Sequence, residues 1–175
     1  MSLFSFHSND FIALDLETTG LSPTNDRIVQ ISLVYFHNGK EKKNYTSYVK
    51  TDRKVSKAAY NVNHISPLKL KFAPSEDKVY KEVVKFIDKN KHSTIVAHNA
   101  SFDSRFLNNT LQRMGYSVDL DYTDTLSLAR RNVEGVPNYK LDTLCEYFEI
   151  ELDHAHDAYS DAKACGELYI KLSGK

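Results

Sequence analysis

The chain has 175 residues, 23 basic and 23 acidic side chains, and 41% hydrophobic residues. These values suit one soluble globular domain able to bury its own core. They exclude a bilayer span, because no apolar run is long enough. Met1–Phe11 shows no basic region followed by an apolar stretch, so no secretory signal is read there, and a cytoplasmic protein without membrane partners is expected. Cys145 and Cys165 fall in helical patterns without C-x-x-C spacing and are read as buried thiols of a reducing compartment, not as a disulfide or zinc site.

The neutral net charge hides a segregation. Residues 40–91 hold 14 Lys and Arg against 6 Asp and Glu, while the remainder holds 9 against 17. A basic flank of this kind can steer a polyanion toward an acidic cleft. Most of Lys78, Lys81, Lys85 and Lys89, however, is expected simply to line the solvated face of one helix.

Phe11–Glu17 is a short apolar run that turns acidic before the turn signal TTGLSP. Arg27–His37 is rich in β-formers and ends at Asn38-Gly39, a hairpin signal. Glu41–Val49 supplies the return strand, which gives three early antiparallel strands. Pro74 opens a helix reaching about Lys89, with Val79, Val83, Phe86 and Ile87 on one face. Thr94–His98 reads as a buried strand. Ser101 is the expected N-cap of a helix running to Met114, with Gly115 just past its end. Tyr122–Asp124 is a short strand running into a helix near Leu126–Arg131, and EGVPN is a loop. Leu141, Leu144, Cys145 and Phe148 mark a further helix. Asp157 caps a last helix carrying Ala158, Ala162, Cys165, Leu168 and Tyr169. Three strands followed by alternating helix and strand predict an α/β fold, a mixed sheet flanked by helices.

Asp15 and Glu17 stand two apart on the first strand, so both carboxylates share one face at its end. Crowded carboxylates repel unless a cation neutralises them, and hard oxygen ligands favour Mg²⁺ or Mn²⁺. Taken alone, the pair also reads as solvated acids at a strand end. Asp103 sits in a first helical turn, where an acid complements the helix dipole without any ligand. Asp161 lies inside the last helix beside Ala158 and Ala162, surroundings that suit a ligand better than a solvated acid. His156 precedes Asp161 by five residues, which turns about 500° on a helix, so the two would not share a helical face. His156 is therefore placed in the loop or first turn before that helix, with His154 as its competitor.

Taken together, FIALDLETTGL, IVAHNASFD and HDAYSDA resemble, in order, the three motifs of the DEDDh (DnaQ-like) 3′→5′ exonuclease family, which includes the proofreading epsilon subunit of bacterial DNA polymerase III and stand-alone relatives. The resemblance spans about residues 10–170. It implies a ribonuclease-H-like fold with a mixed five-stranded sheet, three strands antiparallel and two parallel. It also implies a single exonuclease domain over 1–175, two divalent ions, and hydrolysis from the 3′ end that releases nucleoside monophosphates. Asp15, Glu17, Asp103 and Asp161 match the metal-binding acids and His156 the general base. The sister group uses tyrosine four residues before the last acid, where this chain has Asp157.

Secondary matches are softer. Thr18 resembles the residue beside the terminal nucleotide, and Phe102 an aromatic near the end bases, although a helix-entry core residue reads equally well there. Leu141-Asp142 resembles a family position between the second and third motifs. In NVNHIS, relatives often carry histidine at the position of Asn63; here it stands one place later, and a substrate contact is assigned to His64.

The resemblance implies the 3′ end of a nucleic acid as partner, with single-stranded DNA preferred over RNA, and a possible association with a DNA polymerase. Only SGK follows Leu172, so the C-terminal extension that ties some relatives to a polymerase is not expected. Three alternatives stay open: an RNA exonuclease trimming 3′ ends, a non-catalytic nucleic-acid-binding module on the same fold, and an exonuclease domain cut from a polymerase. Retention of all four acids and the histidine speaks against the second.

Overall fold

The computed structural model describes residues 10–91, 93–153 and 155–174. Strands β1 (Asp10–Thr18), β2 (Ile28–His37) and β3 (Lys40–Tyr48) form an antiparallel meander. β4 (Thr94–Ala97) and β5 (Tyr122–Asp124) then extend it in parallel from the other edge of β1, in the order β3-β2-β1-β4-β5. This is the mixed five-stranded sheet expected from the sequence. The β2–β3 hairpin turns on Asn38 and Gly39, with φ of 52° and 72°. Both central residues thus take the positive φ that matches the twist of the paired strands, which is what the Asn-Gly pair favours.

The helices are α1 (Lys57–Asn63), α2 (Pro67–Lys71), α3 (Glu76–Lys89), α4 (Ala100–Arg113), α5 (Thr125–Asn132), α6 (Leu141–Phe148) and α7 (Ala158–Ser173). Strand periodicity divides β1 between two cores. Ile12, Leu14 and Leu16 pack on one side with Val79, Val83 and Ile87 of α3 and Phe106, Leu107 and Leu111 of α4. Phe11 and Ala13 pack on the other with Ala162, Cys165 and Tyr169 of α7. Behind α7, the helices α5 and α6 close a third cluster around Ala129, Leu144 and Leu168. The small residues of α7 permit a close approach to β2. A Cβ on Gly166 would overlap the Phe36 ring.

Several boundaries differ from the sequence reading. α4 begins at Ala100, capped by Asn99 in the left-handed region (φ 67°) and not by Ser101. The reason lies outside the local sequence: Asp124 Oδ1, at the end of β5, accepts the N–H groups of Asn99 at 2.9 Å and Ala100 at 3.1 Å. α3 starts at Glu76 after Ser75, because the Pro74 carbonyl is taken by the Lys50 N–H at 2.8 Å. α1 and α2 were not anticipated. The α3 lysines 78, 81, 85 and 89 are all exposed, as expected of a solvated face. Both cysteines are free and buried, and burial pushes the Cys145 thiol up to about 12. No helix among the described residues is long and apolar enough to cross a membrane.

Candidate active site

The face of β1 that begins apolar, at Phe11 and Ala13, continues as Asp15 and Glu17 where the strand leaves the sheet interior. β1 parts from regular pairing between Glu17 and Thr18, at the C-terminal edge of the sheet. Strand ends of an α/β sheet are where ligands usually bind. The turn that follows is held rigidly. Buried Thr19 donates its hydroxyl to Asp26 Oδ1 at 2.9 Å, and the Asp26 carboxylate also accepts from the Ser22 N–H at 2.9 Å. Gly20 lets that carboxylate come close, since a Cβ there would lie 2.5 Å from Asp26 Oδ2.

The other two acids come from helix first turns. Asp103 is buried in α4, whose start is anchored through Asp124. Burial pushes the Asp124 carboxyl up, but hydrogen bonds from Ser127, Ala100, Leu126 and Asn99 outweigh it and hold the group below its ordinary range. Asp161 is buried in α7. That helix is pinned by Asp157, its N-cap, which accepts from the Tyr159 and Ser160 N–H groups. Asp157 Oδ2 also accepts from Gln30 Nε2 at 2.9 Å, while Gln30 Oε1 accepts from the Ala158 N–H at 3.4 Å. Buried Gln30 thus registers α7 against β2.

His156 lies in the turn before α7, as its spacing required, with φ 69°. Its backbone N–H donates to Asp161 Oδ2 at 2.9 Å. The left-handed backbone turns the exposed imidazole back over the acids, so that one ligand atom each from Glu17, His156 and Asp161 falls within 4.8 Å of the others. His154, its competitor, lies outside the described residues.

The electrostatics of the cluster would suit a bound cation. Burial, then the charges of Asp103, Asp161 and Glu17, push the Asp15 carboxyl well above the carboxylate range. Burial, with Glu17 and Asp124, raises Asp103 against hydrogen bonding that lowers it. Burial and Asp161 push Glu17 up to about 8, although Asn63 lowers it; burial pushes Asp161 up to about 6, against the hydrogen bond and charge of His156. Each acid thus opposes ionisation of its neighbours, and a divalent cation would reverse that penalty. The donor set of four carboxylates fits Mg²⁺ or Mn²⁺, with the imidazole left beside them.

Two cavities flank the acids. One, of 380 Å³, is lined by Glu17, Thr18, Leu21, Ser56, Asn63 and Phe102, among others. Thr18 faces it with its hydroxyl donated to the Gly20 carbonyl at 2.6 Å. Phe102 does double duty, partly buried against the core and 4.8 Å from the Phe106 ring centroid, yet lining the cavity. His64 is exposed, at the left-handed end of α1, with its ring against Tyr60. Its neighbour Asn63 is the one that lines the cavity, donating to the Thr18 carbonyl at 3.2 Å and accepting from the Ile65 N–H at 3.0 Å. Asn63 and Leu21, which is 82% exposed, were not singled out from the sequence. The offset of the NVNHIS histidine was the only signal for Asn63.

The second cavity, of 580 Å³, lies on the other side of Asp161 and His156 and is walled by His98, Arg130, Tyr139 and Asp142. His98 Nε2 donates to the Tyr139 carbonyl at 2.9 Å, and burial holds this imidazole below its usual pKa. Asp142, of the Leu141-Asp142 pair, is exposed at this wall.

Comparisons with known proteins bear on the family and the fold. The exonuclease family model matches residues 12–169. The chain is 37% identical over 166 residues to a PolC-type DNA polymerase III of Caldanaerobacter subterraneus subsp. tengcongensis, covering 95% of this chain and 12% of that protein. It therefore spans about an eighth of the length of that relative. The fold is similar to that of Escherichia coli exonuclease I in complex with a dT13 oligonucleotide (TM-score 0.80, 22% identity, 94% of this chain and 40% of that one). It is also similar to the nuclease domain of 3′hExo, a DEDDh family member bound to rAMP (TM-score 0.79, 16% identity, 97% of this chain and 94% of that one). With the three motifs in order on a ribonuclease-H-like sheet, the chain belongs to the exonuclease family, in its DnaQ-like group.

Proposed function

We propose that this chain is a 3′→5′ exonuclease domain that hydrolyses the terminal phosphodiester of single-stranded DNA, with Asp15, Glu17, Asp103 and Asp161 as metal ligands and His156 as general base. One observation carries the reading. Carboxylates from β1 and α7, elements at opposite ends of the chain, meet at one sheet edge with an imidazole among them, Glu17, His156 and Asp161 having ligand atoms within 4.8 Å. Structural packing alone gives no reason to bury acids that raise one another's pKa.

Two bound divalent ions would supply the positive charge that holds the anionic phosphodiester and acidifies the attacking water. The residues of the chain do the rest. Asp15 and Glu17, rigid on β1, fix the ligand positions. Asp161 supplies a carboxylate from α7 and, by accepting the His156 N–H, also sets the height of that loop. The exposed His156 ring accepts the proton of the attacking water. The cavity beside Thr18 and Phe102 has room for the terminal nucleoside, with the Phe102 ring as a stacking surface.

DNA as substrate, and association with a polymerase, are favoured by the 37% identity to a PolC-type DNA polymerase III. The deciding experiment is digestion of end-labelled single-stranded DNA, duplex DNA and RNA with Mg²⁺ and with Mn²⁺. Stepwise loss from the 3′ end of single-stranded DNA is expected. Preference for RNA would replace the substrate, and no cleavage of any of the three would defeat the reading.

A further inference from the structure

The surface beyond the cavity at Thr18 is built by the segment from Lys50 to Lys71, which carries six Lys and Arg and a single acid, Asp52. Lys50, Arg53, Lys54 and Lys71 line a groove of 520 Å³ between the exit of β3 and α2. All four are exposed, and the one acid nearby, Asp52, approaches Arg53 Nε only at 3.9 Å. Among the described residues no ion pair neutralises Lys50, Lys54 or Lys71. The α3 surface is different. It carries four lysines and four acids, with Lys85 paired to Glu82 at 3.2 Å, as a merely solvated face should.

The groove is rigidly joined to the candidate active site. Val55 lines the groove and the next residue, Ser56, lines the cavity beside Glu17 and Thr18. The Ser56 N–H donates to the Thr19 carbonyl at 2.9 Å, and the Lys50 N–H holds the Pro74 carbonyl at 2.8 Å. Phe72, 79% exposed at the end of α2, offers a ring face beside Lys71. Unpaired cations with an aromatic next to one of them suit a single strand, the cations for its phosphates and the ring for a base.

We infer that this groove holds the phosphates of the substrate strand upstream of its 3′ end, so that affinity grows with strand length while the end site does the chemistry. The inference rests on the proposed exonuclease reading for the direction of the strand. It balances charge as well, since the upstream strand finds cations where the metal-free acids would repel it.

The test uses the variant Lys50→Ala/Lys54→Ala/Lys71→Ala, all at exposed positions outside the candidate catalytic residues. Binding of 5′-fluorescent oligothymidylates of increasing length is read by anisotropy in EDTA at several salt concentrations. Hydrolysis of the p-nitrophenyl ester of thymidine 5′-monophosphate, which fills only the end site, is followed with Mn²⁺. The variant should bind long strands roughly tenfold more weakly, and its salt-dependence slope should fall by about two. Shortest strands and the ester should be handled as by the unaltered protein, and Lys→Arg at the same three positions should restore binding. Unchanged affinity and slope for long strands would overturn the proposal. Failure of the unaltered protein to hydrolyse either substrate would count against the exonuclease reading instead, because strand binding is measured separately.

Discussion

Asp15 and Asp103 are costly residues to fold around without a cation, and that cost is measurable. Glu17 at about 8 and Asp161 at about 6 lie above their ordinary values of 4.5 and 3.8. The metal-free folded protein therefore binds protons that the unfolded chain releases. For groups so raised, the stabilising contribution is complete below the unfolded pKa and lost as pH rises through the folded one. The melting temperature in EDTA should fall from about pH 4 through pH 8, and excess Mg²⁺ should remove much of the fall at the upper end. A melting temperature independent of pH across this window would contradict the raised carboxyls. Above about pH 4, Asp15→Asn should stabilise the metal-free protein by removing the cost of keeping a buried carboxyl protonated, while Asp15→Ala or Asp161→Ala should abolish cleavage at saturating Mg²⁺. Robust cleavage by either alanine variant would remove that residue from the ligand set. His156→Ala should keep metal and DNA binding but lose roughly 10²–10⁴ in rate, the usual worth of a positioned base. His154→Ala should be much milder. Equal losses from the two substitutions would show the base to be misassigned.

At the scale of elements, α7 decides whether the site exists. Gly166→Ala forces the helix off Phe36 and should cost about 1–3 kcal/mol, the usual range for overpacking. Because Asp161 rides on the same helix, activity should fall further than stability alone accounts for. Adding Phe36→Leu makes room and should recover part of both, which thermal melts and strand-shortening assays on the single and double variants will read. The legibility of these elements from sequence followed where their determinants lie. The strands of the meander carry their own signals: apolar runs, the Asn38-Gly39 turn, and two carboxylates at period two. α7 announces itself through Asp157 and a run of small residues. α1 and α2 carry only cap signals, Ser56 and Ser66-Pro67, and at seven and five residues long, with Val62 and Leu68 turned outward, they offer no apolar periodicity to read. Asn99 caps α4 because the carboxylate of Asp124, 25 residues away, accepts its N–H, and no local pattern encodes that contact. Asn63 was hidden behind His64 for a similar reason, since only the left-handed turn at His64 decides which of the two faces the cavity.

For the molecule as a whole, the expected polarity rests on membership of the exonuclease family. If the 3′-terminal nucleoside sits beside Thr18 and Phe102 as proposed, a 5′-labelled single strand should shorten progressively from its full length, and a circular strand should stay intact. Immediate release of the label as a mononucleotide, or nicking of the circle, would assign the wrong direction or the wrong class of nuclease.

The clasp between Gln30 and Asp157 joins residues 127 positions apart. Its consequence concerns synthesis. Chains emerge from the ribosome N-terminus first, so Asp15, Glu17 and Asp103 are outside long before Asp161 is made. The clasp fixes the start of α7, and with it the place of the fourth carboxylate. A nascent or clipped chain that stops short of this clasp is a disarmed nuclease. The weapon is completed last, by the same contact that completes the fold.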